Sequence, residues 1–128
     1  MADIAPISGE LQLQVMSAVW RLGRGTVEQV RRELPPRYRG AYNTIQTVLN
    51  RLAERGLLSR HKAGAAIEYR ARLSEDEYLA RSIAHTLAGA STDARQMALA
   101  RLIGELGENE LSDLRRRARE IGKTRRRR

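Results

Sequence analysis

The residues best suited to specific chemistry lie on one face of a predicted helix between residues 41 and 56. This face combines amides, a hydroxyl and one guanidinium: Asn43, Gln46, Thr47, Asn50 and Arg51. Such groups match the hydrogen-bonding edges of DNA bases and the oxygens of phosphates. A face that served only solvation would contain more Glu and Lys. The alternative interpretation is an amide-rich surface helix that binds nothing.

The opposite face of this helix is apolar and must pack against the elements that position it. Its side chains recur at helical spacing: Ile45, Val48, Leu49 and Leu52. The start of the helix is open, because Asn43 is a possible N-cap and a start near Ala41 is also compatible with the pattern. Gly56 is the expected glycine just beyond the last turn.

Two further helices are predicted ahead of this one. Ser8 is a candidate cap for the first, whose expected buried face is Leu11, Val15, Met16, Ala18, Val19, Trp20 and Leu22. A capping box, Thr26-Val-Glu-Gln29, opens the second helix, which ends at Pro35-Pro36. Its inward positions are Val27, Val30 and Leu34. Because a short loop joins it to the amide-rich helix, the pair predicts a helix-turn-helix.

A β-hairpin is expected next, from two partly alternating runs at residues 57–61 and 66–70. The turn between them lacks the strong Asn-Gly signal. A hairpin in this place is a wing, and its basic residues suit phosphates or a minor groove. Together with the loop before the amide-rich helix, the candidates are Arg39, Arg60, His61 and Lys62. The alternative is an exposed basic hairpin without a ligand.

From Ser74 onward the sequence predicts three amphipathic helices, whose apolar faces are too extensive to be buried within one small lobe. We therefore expect a homodimer, the commonest kind of self-association. The candidate dimerisation residues are Leu79, Ile83, Leu87, Leu99, Leu102, Ile103, Leu106, Leu111, Leu114 and Ile121. The expected domains are a winged helix in residues 1–73 and a dimerisation domain in residues 74–122. Residues 123–128 are predicted to be a disordered basic tail.

The charge of the chain favours a polyanionic partner, with nucleic acid ahead of an anionic membrane surface. The formal net charge is +9 and the pI is about 11.1. Residues 1–73 carry a net charge of +6, residues 74–112 carry −4, and residues 113–128 carry +7. This distribution predicts a polyanion-binding module followed by a segment with another role.

Several classes of protein are disfavoured. The absence of Cys excludes disulfides, thiolate zinc sites and cysteine nucleophiles. No apolar run approaches a membrane span and no signal peptide is recognisable, so we expect a cytoplasmic protein without membrane insertion. His61 and His85 lie in different predicted lobes, without a carboxylate pair or a Gly-rich phosphate loop. The sequence thus predicts no enzyme, no metal and no cofactor.

Four segments together resemble the penicillinase-repressor family, the BlaI/MecI/CopY group of bacterial winged-helix regulators. Residues 7–20 resemble its opening helix and residues 25–30 the start of its second helix. The segment Tyr42-Asn-Thr-Ile-Gln-Thr-Val-Leu-Asn-Arg-Leu52 resembles the recognition helix and is the most specific of the four. Residues 54–58 and the hairpin up to Tyr69 resemble the strand and wing.

The resemblance implies a mainly α fold with a small β-hairpin wing, a winged helix-turn-helix followed by C-terminal dimerisation helices. It also implies a homodimeric transcriptional repressor that binds double-stranded DNA at a palindromic operator and blocks the promoter. By the resemblance, Asn43, Thr44, Thr47 and Arg51 face DNA, with Gln46 and Asn50 as neighbours. Thr44 is expected nearer the buried edge, where it suits a phosphate at the helix N-terminus.

The chain departs from the family pattern in two ways. It lacks the C-terminal Cys cluster of copper-responsive members, and it has no Phe like that beside the cleavage site of β-lactam-responsive members. The inducer, and any sensor or protease that relieves repression, are therefore unassigned. The alternative function is a winged-helix module that binds protein or RNA through its C-terminal helices and Arg-rich tail.

Overall fold

The computed structural model describes residues 3–126, and the chain divides between Ala88 and Gly89 into two units. The first unit contains α1 (Glu10–Leu22), β1 (Arg24–Thr26), α2 (Val27–Glu33), a short 3-10 helix (Pro36–Tyr38), α3 (Tyr42–Glu54), β2 (Leu58–Ala63), β3 (Ala66–Ala71) and α4 (Glu75–Ala88). The second unit contains α5 (Thr92–Gly104) and α6 (Glu108–Arg126). Within residues 3–126, no helix is long and apolar enough to cross a membrane. The predicted fold class, mainly helical with a β-hairpin, is confirmed.

The core of the first unit is aliphatic and follows the predicted stripes. All four predicted apolar residues of α3 are buried, as are the three inward residues of α2. Residue Leu22 was wrongly placed in the core; it is 37% exposed, because it ends α1 at the margin of the packed region. Trp20 is half-buried, and its indole N–H donates to the Leu73 carbonyl at 3.0 Å.

Only one of the first three predicted helix starts has the predicted cap. Thr26 and Gln29 form the predicted capping box, with hydrogen bonds of 2.9 and 3.3 Å. The cap of α1 is Gly9 rather than Ser8; at a φ of 88° it adopts a backbone conformation that glycine tolerates. Helix α3 starts directly after Ala41, so the later start at Asn43 is wrong.

The sheet has three antiparallel strands in the order β1-β3-β2, and β1 was not predicted. The β2–β3 hairpin closes through Gly64 and Ala65, with a positive φ of 66° at Gly64. A positive φ at the first of two central residues is the pattern of a type II′ turn, which prefers glycine there. The turn signal was therefore present as Gly-Ala, although Asn-Gly is absent.

Helix α4 packs within the first unit, so the boundary defined by contacts lies beyond the expected one at residue 73. Tyr78 is buried, its ring centroid lies 5.3 Å from that of Trp20, and its hydroxyl accepts from the Ile7 N–H at 2.8 Å. The Ile4 N–H donates to the Arg81 carbonyl at 3.2 Å. The segment before α1 is thus held against α4 through the backbone N–H groups of Ile4 and Ile7.

The second unit consists of two helices whose large apolar side chains are exposed or half-buried. Leu102 and Ile103 of α5 are 57% and 52% exposed, and Ile121 of α6 is 61% exposed. Helix α6 continues through Arg126, so the prediction of a disordered tail is wrong for residues 123–126. The rest of that predicted tail, residues 127 and 128, lies outside the described residues.

Truncation of Leu49 tests whether the apolar stripe of α3 anchors the first unit. Because this side chain is fully buried, Leu49→Ala should lower the free energy of unfolding by about 2–5 kcal/mol, measured by urea denaturation. The matched control is Leu13→Ala at a position 40% exposed, where the loss should stay below about 1 kcal/mol. Equal losses in the two variants would contradict the assignment.

Candidate nucleic-acid interface

The polar face of α3 is open to solvent along its length. Five of the six predicted contact residues are exposed: Asn43, Thr44, Gln46, Thr47 and Arg51. Thr44 was expected nearer the buried edge, but the structure leaves it exposed. Within the described part of the chain, no side chain caps the N-terminus of α3, so its first backbone N–H groups are left for solvent or an anion.

The side chains of this face differ in how much hydrogen-bonding capacity they retain. The Thr47 hydroxyl donates to the Asn43 carbonyl at 2.9 Å, so its oxygen lone pairs and methyl group remain for a ligand. Among residues 3–126, the structure gives no side-chain hydrogen bond or ion pair to Gln46 or Arg51. These two side chains can therefore turn to a groove without breaking an internal contact.

Asn50 is the exception on this face. It is half-buried, and its side-chain oxygen accepts from the Tyr69 hydroxyl at 2.7 Å and from the Arg60 guanidinium at 3.2 Å. Tyr69 lies on β3 and Arg60 on β2, so the Asn50 amide ties α3 to both strands of the hairpin. The structure gives Asn50 a positioning contact, which reduces what its oxygen can offer a base.

The electrostatics of Tyr69 suit its role as a donor to Asn50. The side chain is only 2% exposed, and burial raises its pKa above the usual 10.0; the nearby Arg60 charge acts in the opposite direction. The hydroxyl thus stays protonated at neutral pH. A raised pKa means that this part of the stability is present below pH 10 and is lost as the pH rises through the folded-state pKa.

The hairpin register separates the predicted wing residues. Arg60 pairs with Tyr69 and Lys62 with Ile67, so both basic residues share the face of the sheet that carries the buried tyrosine. His61 points to the opposite face, where its ring lies 2.9 Å from the Ser59 hydroxyl. The three residues do not form one contact surface, and Lys62 lies nearest the turn on the side shared with Tyr69.

Arginines also build the turn between α2 and α3. The Arg39 guanidinium donates to the carbonyls of Arg32 at 3.1 Å and Leu34 at 2.9 Å, and so closes the end of α2. The Arg31 side chain donates to the Gly40 carbonyl at 2.8 Å. Predicted as a nucleic-acid contact, Arg39 therefore also has a structural role, because it satisfies carbonyls left over at a helix C-terminus.

Sequence reasoning missed one candidate, Tyr42 at the first position of α3. It is 48% exposed and stands one helical turn before Gln46, on the flank of the polar face. An exposed aromatic side chain with a polar tip is common at binding surfaces. The sequence could have indicated Tyr42, because it lies four positions before Gln46 in a chain with few aromatic residues.

The contact between Asn50 and Tyr69 can be measured by a double-mutant cycle. Asn50→Ala and Tyr69→Phe should each destabilise the fold, with a coupling energy of about 1 kcal/mol, because each removes the same buried hydrogen bond. Thr47→Ala is the control in the same helix and should leave stability within about 0.5 kcal/mol. Additive losses in the cycle would show that the contact contributes nothing to stability.

The same variants predict a pH effect. In the parent protein, the free energy of unfolding should fall more steeply above pH 10 than in Tyr69→Phe, because the variant has no hydroxyl to ionise.

Comparison with known proteins identifies the fold's relatives. The family model for the penicillinase repressor matches residues 8–120. The transcriptional regulator BlaI of Mycobacterium tuberculosis is 35% identical over 115 residues, which cover 88% of this chain and 83% of that protein. The penicillinase repressor of Bacillus licheniformis is 33% identical over 79 residues, or 62% of this chain and 61% of that protein.

A solved structure gives the same answer for the first unit. The DNA-binding domain of the repressor BlaI is 33% identical, with a TM-score of 0.50, and the match covers 61% of this chain and 94% of that one. This match agrees with the winged helix-turn-helix formed by α2, α3 and the β2–β3 hairpin. The chain therefore belongs to the penicillinase repressor family and is a transcriptional repressor of the BlaI type, not an enzyme.

Proposed function

We propose that the protein is a homodimeric repressor that inserts α3 into the major groove of each half of a palindromic operator and so blocks access to the promoter. The observation that carries the proposal is the exposed polar face of α3, on which Gln46 and Arg51 have no side-chain partner among residues 3–126. An operator protein of this kind works on cytoplasmic DNA.

Within the interface, the side chains divide into readers and positioning groups. Asn43, Thr47 and Arg51 are the proposed base readers, because an amide, a methyl-bearing hydroxyl and a guanidinium match base edges in the major groove. Thr44 and Gln46 flank them. Lys62 is proposed to contact phosphate, whereas Asn50 and Arg60 hold the wing against α3. His61, on the other face of the hairpin, has the weakest case for a contact.

The exposed apolar residues support the proposed dimer. Leu79 and Ile83 of α4 in the first unit are 49% and 50% exposed, and the second unit separately exposes apolar side chains on α5 and α6. Apolar side chains in such number on a small chain mark an interaction surface. Two-fold association would present two copies of α3, as a palindrome requires.

Substitutions in α3 and in the wing should have different effects on DNA binding. Thr47→Ala should weaken operator binding by about 1–3 kcal/mol while leaving affinity for unrelated duplex unchanged, since it removes a base contact. Lys62→Ala should weaken binding to all sequences about equally and reduce the salt slope by about one, since it removes a phosphate contact. Gel shifts on a palindromic duplex with half-sites about 10 base pairs apart, at several salt concentrations, measure both effects.

The control is a scrambled duplex of the same length and composition. Equal affinity for the palindrome and the scrambled duplex at physiological salt would overturn sequence-specific repression. That outcome would favour the alternative of a module that binds protein or RNA through the C-terminal helices.

Disruption of the α5 surface tests the dimer. Leu102→Lys should shift sedimentation toward the monomer and lower operator affinity by at least about tenfold, because it places a charge among exposed apolar residues. Gln96→Lys introduces the same side chain at an exposed polar position of α5 and should change neither measurement. A dimer that survives Leu102→Lys unchanged would contradict this role for α5.

A further inference from the structure

A basic cleft of about 600 Å³ lies in the first unit, at the end of the hairpin opposite its turn. Three arginines and one acidic residue line it: Arg55, Arg72, Arg81 and Asp3. Of these residues, none belongs to the operator interface predicted from the sequence. The volume lies within the range of about 300–1,000 Å³ that is usual for small-molecule sites.

Hydrogen bonds among four segments, one of them from the Arg55 side chain, hold the cleft in shape. Arg55 follows the last turn of α3 and donates to the Ala5 carbonyl at 2.7 Å. The Arg72 N–H donates to the Leu57 carbonyl at 3.0 Å, which closes the base of the hairpin. Arg81 lies on α4, where its carbonyl receives the Ile4 N–H. The arginines are thus brought together by the fold and do not belong to one flexible loop.

The charge of the cleft is unbalanced. Its lining contains three arginines and a single carboxylate, that of Asp3, which itself lies 3.5 Å from a ring nitrogen of His85. The structure of residues 3–126 gives the exposed Arg72 guanidinium no ion-pair partner. A concave site with one sign of charge concentrates the field, and planar guanidinium groups bind carboxylate and phosphate oxygens in pairs.

We propose that this cleft binds a small anion with at least two negative charges, such as a di- or tricarboxylate or a phosphate, and that it is an effector site of the repressor. The polar lining disfavours an uncharged apolar ligand. The proposal that an anion binds depends only on the volume and the charged lining of the cleft. The regulatory role rests in addition on the proposed function.

The cleft is separate from the DNA contact proposed for the wing. Strand β2 runs for six residues from Leu58 to Ala63. At about 3.3 Å per residue, the hairpin turn lies roughly 20 Å from the base where the cleft opens. Lys62 is near the far end of that strand, so a phosphate bound by it is not the anion of the cleft.

The cleft is linked to the DNA-reading helix through Arg55. This residue caps α3 and stands one turn beyond Arg51, a proposed base reader. An anion that draws the Arg55 guanidinium away from the Ala5 carbonyl acts directly on the end of α3. By linkage, an anion that changes operator affinity must have its own affinity changed by the same factor when operator is bound.

Isothermal titration calorimetry of the full chain without DNA tests the binding. Citrate and inorganic phosphate, at constant ionic strength, should each give saturable binding with a Kd below about 1 mM, whereas acetate should not. Arg72→Ala should weaken binding at least about tenfold and the charge reversal Arg72→Glu should abolish it. Because Arg72 is exposed, both variants should keep the unfolding midpoint of the parent.

Arg32→Ala is the matched control, since it removes the same charge from an exposed position outside the cleft. Its partner Glu28 keeps an ion pair with Arg31 at 3.2 Å. Absence of saturable binding, or equal weakening by Arg32→Ala and Arg72→Ala, would overturn the proposal.

Gel shifts distinguish a free anion from a phosphate of the duplex. If the cleft serves a free anion, Arg72→Ala leaves affinity for scrambled DNA unchanged, and citrate alters operator affinity in the parent but not in the variant. If Arg72→Ala lowers affinity for every duplex, as expected of Lys62→Ala, the cleft holds DNA phosphate and the small-anion proposal is wrong. Because the calorimetry contains no DNA, its result is independent of whether operator binding is sequence-specific.

Discussion

The apolar stripe of α3 is the constraint on which the first unit depends. Ile45 and Leu49 are fully buried in the core formed with α1 and α2, and this burial fixes the rotation of the helix about its axis. A helix has only one face left when the other is packed, so the same contacts determine which polar side chains reach solvent. The exposed polar face of α3 is therefore a consequence of the core, and its residues need no separate interaction to keep them exposed.

The second constraint is the docking of the hairpin. Tyr69 fills the core with its ring while its hydroxyl reaches Asn50, so one side chain joins the sheet to the helix by both packing and hydrogen bonding. This explains why Asn50, predicted as a neighbour of the DNA-facing residues, is half-buried. A residue that holds the wing in place cannot also offer the same oxygen to a base. The Asn50 side-chain oxygen is therefore used to position the wing and is not available to accept from a base.

Much of this arrangement followed from the sequence because it rests on local periodicity and turn chemistry. The buried stripe of α3, the Thr26 capping box and the hairpin are encoded within a few residues of one another. Strand β1 was missed because its three residues acquire their conformation only by pairing with β3. The partners of Asn50 and Arg39 were missed for the same reason, since contacts across the chain leave no spacing to read. The helical residues 123–126 show that arginine's good helix propensity prevailed over the charge repulsion from which disorder was predicted.

The high net charge of the chain does not indicate how many of its basic side chains are available to bind a ligand. Arg31, Arg39 and Arg55 donate to backbone carbonyls, so their hydrogen bonds are committed to the fold although their charges remain. Such groups still add to the field that attracts a polyanion, and this attraction weakens with salt. Sequence-specific binding would require donors that have no internal partner, and in the described part of the chain α3 carries such donors on Asn43, Gln46 and Arg51. We therefore expect long-range attraction and sequence discrimination to depend on different arginines, so that a substitution can remove one while leaving the other.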